Sequence, residues 1–353
     1  MTRVNAADAA PARRLSAYFS LGKTISLLTG CLVLGCASTG SANYSQHAET
    51  QGFIDEMVRD HGFAAEPLRQ WLGQAEKKQN ILDAISRPAE KTKTWKEYRP
   101  IFIVPARIDN GVTFWRDNRA ALTRAEREFG VPAEYIVAII GVETNYGKNT
   151  GSHRVIDALT TLAFDYPPRA PFFRKELQNY FLLTREQKQD PLAFKGSYAG
   201  AMGYGQFMPS SYRAYAVDFD GDGFTDIWNN TTDAIGSVAN YFKQHGWQGG
   251  KPVVSRVRPD DDMGKKAPTY TFNEINPPSV TVAEWKKRGY QPITDLPVDA
   301  KALILKLDGQ HGEEYWLGLQ NFYVITRYNR SHLYSMAVHQ LSQLIREKME
   351  AGQ

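Results

Sequence analysis

Thiols are nearly missing from this chain. Of its 353 residues only Cys31 and Cys36 are cysteine, and both fall within the first 36 positions. That excludes a disulfide framework and a cysteine-based zinc site for everything that follows. The seven histidines (His47, His61, His153, His245, His311, His332 and His339) lack His-Glu-x-x-His spacing, so no transition-metal site is indicated. There is no Gly-x-Ser-x-Gly nucleophile elbow. Charge of one sign is scarce as well. Lys plus Arg number 42 against 38 Asp plus Glu, and residues 1–36 alone hold four bases against one acid. The remainder is close to neutral, which argues against a nucleic-acid surface. What is present is ordinary for a globular protein, 42% hydrophobic and 23% charged, and long enough for a substantial core and more than one lobe. Aromatic residues make up 12%. Most fill the core, but Tyr and Trp also stack on sugar rings while their polar tips reach water.

The N-terminus reads as an export signal. Basic residues precede a short apolar run, Ile25 to Leu34, too short to span a bilayer and followed by small polar residues. Val33-Leu34-Gly35-Cys36 resembles the lipobox of a bacterial lipoprotein signal, with Cys36 as the lipidated residue. Leu28-Thr29-Gly30-Cys31 fits the same pattern but leaves a very short apolar region. Ala37 rather than Asp follows Cys36, which by the same resemblance implies sorting to the outer membrane. Residues 1–36 are then a signal and 37–50 a small, polar tether.

Residues 51–248 carry helical periodicity. Phe53, Ile54, Met57 and Val58 repeat at helix spacing, and Leu68, Trp71 and Leu72 follow Pro67. The pattern breaks around Pro100, predicts one helix over 111–129 stopped by Gly130, and places Pro132 as the first residue of the next. Residues 154–188 are helical apart from a proline-rich interruption at 166–171. Helices over 210–217 and 234–246 bracket an acidic loop. From 249 to 320 the character changes to short β-type runs (253–257, 269–272, 279–282, 302–307 and 314–317) between Pro, Gly and Asp clusters. Residues 321–353 return to the helical body. The fold class is α+β, mainly α.

Three stretches could carry chemistry. Ile136, Ile139, Ile140 and Glu143 fall at i, i+3, i+4 and i+7, one face of one helix. A carboxyl closing an apolar stripe is desolvated, which favours its protonated form and suits a general acid near neutral pH. The second stretch, Gly196 to Ser211, is dense in Gly and Ala. It lets backbone approach a ligand, with Ser197 and Gln206 as hydrogen-bonding groups. It has no Gly-Lys-Ser/Thr pair, so it is not a phosphate loop. Third, Asp218, Asp220 and Asp222 alternate before Gly223, with the Phe224 carbonyl as a further oxygen, an EF-hand-like opening for a structural Ca²⁺. The twelfth loop position, normally a bidentate acid, is Asn229, and the next acid is Asp233.

Gly141-Val-Glu-Thr-Asn-Tyr-Gly147, Gly200-Ala-Met-Gly-Tyr-Gly-Gln-Phe-Met-Pro-Ser-Ser211, Asp218-Phe-Asp-Gly-Asp-Gly223 and Ile325-Thr-Arg-Tyr-Asn-Arg330 together resemble the membrane-bound lytic murein transglycosylase B family. The matches run in order from about Phe53 to the C-terminus. The resemblance implies a lysozyme-like helical core, a helical side domain, a small β subdomain and one metal loop. It implies cleavage of the β-1,4 bond between N-acetylmuramic acid and N-acetylglucosamine, leaving a 1,6-anhydromuramoyl end. It places Glu143 as acid/base catalyst, and Tyr98, Arg169, Ser197, Gln206, Tyr241, Tyr328, Asn329 and Tyr334 along the glycan groove. Asp218, Asp220, Asp222, Phe224 and Asp233 become metal ligands, the last reached by a loop one residue longer than the family's. No organic cofactor is implied. The expected company is peptidoglycan strands, an outer-membrane lipid anchor and cell-wall synthesis complexes around a monomer. A lysozyme-type hydrolase and a non-catalytic peptidoglycan-binding lipoprotein are the alternatives. A binding module, however, gains nothing from a costly buried acid.

Overall fold

The computed structural model describes residues 43–86, 93–260 and 271–352, so Cys36 and the expected signal lie outside the described residues. Order begins earlier than the tether expectation allowed. A 3₁₀ turn over Tyr44–Gln46 buries Tyr44, whose hydroxyl donates to Asp165 at 2.7 Å and reaches Thr161 at 3.2 Å. One buried ring with a charged acceptor is enough to fold a short polar segment onto the body.

Helices α1 (Ala48–His61), α2 (Ala65–Gln74) and α3 (Gln79–Ile85) follow, then α4 (Trp95–Phe102), which contains Pro100 instead of breaking before it. The expected helix over 111–129 is two, α5 (Pro105–Asp117) and α6 (Arg119–Phe129). Asn118 separates them: its backbone N–H and its side-chain amide both donate to the Phe114 carbonyl, at 3.1 and 2.9 Å. Its side chain thus competes with the helix ladder, the usual effect of Asn inside a helix. Gly130 ends α6 at φ 71°, a left-handed conformation that suits glycine.

At the centre lies α7 (Ala133–Thr144), with Pro132 capping it from just outside. The sequence suggested one buried face; the structure buries the helix all round. Ile136, Val137, Ala138, Ile139 and Ile140 are fully enclosed by α5, α6, α11 (Thr231–Gln244) and α14 (His332–Ala351). A helix apolar on every side can rest only in a core. Each buried Ile or Val there contributes about 1.5–3 kcal/mol. Between α7 and α11 come β1 (His153–Arg154), α8 (Val155–Asp165), α9 (Ala170–Glu186), β2 (Lys195–Gly196) and α10 (Pro209–Tyr215), β1 pairing antiparallel with β2.

The β lobe is a five-stranded antiparallel sheet of β3 (Val254–Pro259), β4 (Val280–Thr281), β5 (Tyr290–Pro292), β6 (Lys301–Gly309) and β7 (Gly312–Gly318), in the order β4-β6-β7-β3-β5. Alternation along β6 divides its side chains between two cores. Ala302 and Ile304 join Trp285, Tyr290 and Leu317 inside the lobe, while Leu305 and Leu307 join the helical core. The expected strand over 279–282 is only two residues long. Thr281 instead caps α12 (Val282–Lys287), accepting the Glu284 N–H at 3.2 Å. Residues 269–270 lie outside the described residues, and Thr271 and Phe272 are not in a strand. Helix α13 (Gln320–Tyr328) then leads back to the body, and α14 closes it.

Candidate active site

Glu143 sits on the last turn of α7, half-buried between Val142 and the fully buried Thr144. The helix stops one residue later. Asn145 (φ 50°) and Tyr146 (φ 61°) both adopt left-handed backbone, and their N–H groups return to the carbonyls of Gly141 and Ile140 at 3.1 and 3.3 Å. A left-handed tyrosine is costly unless its ring is anchored. The Tyr146 hydroxyl donates to the Arg107 carbonyl at 2.9 Å, and an added Cβ at Gly141 would lie 2.5 Å from that hydroxyl. Thr144 ties the same turn to the glycine-rich loop, donating to the Tyr204 carbonyl at 3.0 Å and accepting the Gly147 N–H at 3.0 Å. Thr144 and Tyr146 were not singled out from sequence, and the only signal for them was their adjacency to Glu143.

Three elements bring partners to the carboxyl. Tyr334, on the first turn of α14, donates its hydroxyl to Glu143 Oε1 at 2.5 Å. Tyr328, at the end of α13, donates to the Gly205 carbonyl at 2.5 Å. Any Cβ at position 205 would meet that hydroxyl at 2.7 Å, so glycine is required where loop and tyrosine touch. Burial, then the Glu143 charge, holds both phenols well above their ordinary range. They therefore stay protonated as donors. Tyr98, buried on α4, is close enough to add to the field on Tyr334. The loop itself folds as a tight hairpin in which Met202 and Phe207 exchange backbone hydrogen bonds at 2.9 Å.

The remaining groove candidates are placed less directly. Gln206 (φ 51°) donates its amide to the carbonyls of Thr150 and Gly203, at 3.1 and 3.0 Å. Ser197 Oγ accepts the N–H groups of Ala199 and Ala201, bracing the same loop. Tyr241 donates to the Arg327 carbonyl at 2.5 Å and stacks on His245, so its hydroxyl serves the fold. Asn329 caps α13 and is half-buried. Arg169 is exposed, its guanidinium 4.4 Å from the Phe172 ring centre.

In the acidic loop Asp218, Asp220 and Asp222 offer oxygens that all lie within 4.8 Å of one another on an exposed surface. Backbone N–H groups of Gly223, Gly221 and Asp222 hold the Asp218 carboxyl below its usual range. Three hard, anionic oxygens at this spacing suit Ca²⁺. Asp233 departs from the expected ligand set. It is fully buried beneath the loop, and its oxygens accept the N–H groups of Phe219 (2.7 Å), Asp220 (3.3 Å) and Asp226 (2.7 Å). The Phe224 carbonyl accepts the Asp226 N–H at 3.0 Å.

Comparison with known proteins identifies the family of the chain. The transglycosylase SLT domain family matches residues 45–343, and the chain belongs to it: it is a member of the lytic transglycosylases, with their lysozyme-like fold. It is 44% identical over 315 residues to membrane-bound lytic murein transglycosylase B of Escherichia coli K12, covering 86% of this chain and 84% of that one. Soluble lytic transglycosylase SltB1 of Pseudomonas aeruginosa superposes with a TM-score of 0.80 at 57% identity, covering 85% of this chain and 99% of that one. Lytic transglycosylase Slt35 of Escherichia coli in complex with calcium gives 0.79 at 43%, covering 88% and 96%. SltB3 of Pseudomonas aeruginosa in complex with NAG-anhNAM-pentapeptide gives 0.75 at 29%, covering 84% and 78%.

Proposed function

We propose that this chain cleaves the β-1,4 bond between N-acetylmuramic acid and N-acetylglucosamine of peptidoglycan, with Glu143 acting first as acid and then as base. The observation that carries the reading is the Glu143 carboxyl at the end of a wholly buried helix, held by the Tyr334 hydroxyl at 2.5 Å. Protonated Glu143 gives its proton to the leaving glycosidic oxygen. As carboxylate it then takes the proton of the muramoyl C6 hydroxyl while that oxygen closes onto C1, leaving a 1,6-anhydro end. Most glycosidases need a second carboxylate to serve as nucleophile or to activate water. Here the substrate supplies its own nucleophile, and an oriented intramolecular group reaches effective molarities on the order of 10⁵ M or more. Tyr98, Gln206, Tyr328 and Asn329 shape the groove beside the reacting sugar, with Arg169, Ser197 and Tyr241 further along it.

Asp218, Asp220 and Asp222, with the Phe224 carbonyl, would hold a Ca²⁺, as the calcium complex of the Slt35 relative supports, and the proposed role of the ion is structural. Cys36 is the proposed lipid anchor at the periplasmic face of the outer membrane, in keeping with the membrane-bound name of the Escherichia coli relative. No helix among the described residues is long and apolar enough to cross a membrane.

The test is Glu143→Gln assayed on purified sacculi. Release of anhydro-muropeptides should fall by about 10³-fold or more while the circular dichroism spectrum is unchanged. Substantial residual activity would remove Glu143 from the chemistry. Products heavier by one water would replace the transglycosylase with a lysozyme-type hydrolase.

A further inference from the structure

A cavity of about 520 Å³ opens where the β lobe meets the helical body, between the start of α4, the end of β6 and the link from α13 to α14. It is large enough for two or three amino-acid residues. Its wall includes Lys93, Lys306, Asp308, Arg330 and Ser331. Lys306 is committed to Glu313 at 2.5 Å. Lys93, Arg330 and Asp308 are exposed, and among the described residues none of them has an ion-pair partner. The α14 N-terminus, capped by Ser331, adds its partial positive charge on the same side. Among the described residues the seam therefore presents two cations and one anion without ion-pair partners.

Its position connects it to the reaction. Arg330 and Ser331 belong to the same short link as Asn329 and Tyr334, and Tyr334 holds Glu143. Leu333, another wall residue, precedes Tyr334 directly, with Cα atoms about 3.8 Å apart, and an extended peptide of three residues reaches about 10 Å. A chain attached to a muramoyl ring beside Glu143 can thus enter the seam.

We propose, resting on the function above, that this seam binds the peptide stem of the substrate. Lys93 and Arg330 would take its carboxylates, and Asp308 the free amine of a diamino-acid residue. The small β lobe then has a recognition role: β6 supplies one wall of the stem site and the α13–α14 link the other. Lys93 and Arg330 are binding residues here, remote from the bond that breaks.

The experiment compares two substrates, sacculi with intact stems and glycan strands stripped of peptide by an amidase. The double variant Lys93→Ala/Arg330→Ala should lose about tenfold in kcat/KM on sacculi, through KM, and stay within about twofold on stripped strands. Arg330→Lys in place of the alanine should recover part of the loss. Both side chains are exposed, so an unchanged melting temperature shows that the fold is intact. Equal loss on both substrates, or none on either, overturns the stem site while leaving the transglycosylase reading in place. A wild-type protein inactive on both substrates would overturn both.

Discussion

Tyr328 and Tyr334 reach the carboxyl region six positions apart, yet their hydroxyls do different work. The Tyr334 hydroxyl points its proton at Glu143 itself, whereas that of Tyr328 is bonded to the Gly205 backbone. Tyr334→Phe should therefore lower kcat by about 10- to 100-fold with little change in KM or melting temperature, because it removes a donor from the group proposed to move protons. Tyr328→Phe should leave a buried carbonyl unbonded, costing about 1–3 kcal/mol of stability, with a smaller effect on kcat. Steady-state kinetics and thermal melts on the two variants check the pair. The reverse pattern would exchange their roles. Glu143 and Tyr328 could be singled out in the sequence because they stand inside short ordered motifs, whereas Tyr334, four positions past the last motif, came only from the family resemblance. The wedge made by Tyr146 was not visible there, since its need for Gly141 appears only once the chain has folded back at Asn145.

At the scale of elements, the acidic loop shows how local chemistry and burial separate. The alternation of Asp218, Asp220 and Asp222 is readable because each acid acts over one turn of chain. Asp233 was harder to place because its position is set by α11, whose first turn carries it under the loop and away from solvent. Two measurable behaviours follow. Ca²⁺ should raise the melting temperature, at 100 times its Kd by a stabilisation of about 2.7 kcal/mol, and Asp218→Asn/Asp222→Asn should abolish the response. Asp233→Ala should destabilise the protein even in chelator, by about 2–4 kcal/mol, because three backbone N–H groups lose their acceptor. If Asp233→Ala melted normally in chelator and lost only the Ca²⁺ response, Asp233 would be a ligand after all. The same division applies to the fold. Helices with a clear apolar period and a glycine or proline boundary were visible. The break at Asn118 was hidden because apolar positions continue in register through Val112, Phe114, Leu122 and Ala125, all buried. Helix α12 was hidden because it is six residues long and opens on a β-branched valine, although Thr281 and Glu284 form the start of a cap.

On the whole-molecule scale, β6 feeds both cores and α14 packs along α7, so one strand ties the lobe to the interior that holds the Glu143 helix. Several histidines are built into that interior as neutral groups. His339 on α14 meets the Tyr135 hydroxyl of α7 at 2.9 Å, and burial pushes its pKa down to about 4. Burial likewise lowers His245, which bonds the Tyr241 carbonyl at 2.8 Å, and His332 at the start of α14. Each is free to protonate once the chain unfolds, at an ordinary value near 6.5. Below that pH the unfolded chain binds more protons than the folded one, so stability present above pH 6.5 is lost as the pH falls toward the folded values. Glu134 works in the opposite sense, since burial raises its pKa despite Arg346 at 3.5 Å. Its contribution grows only as acid reaches the carboxylate range, which leaves the interval from pH 6.5 to 5 to the histidines. His339 alone should cost about 2 kcal/mol across that interval, at about 1.4 kcal/mol per pH unit. Denaturant melts at pH 7.5 and 5.0 measure the difference, and His339→Gln should flatten much of the slope because glutamine cannot take up the proton. A wild-type stability that stays level between those two values would mean that His339 titrates in the fold as it does in water, and that the seam between α7 and α14 admits solvent.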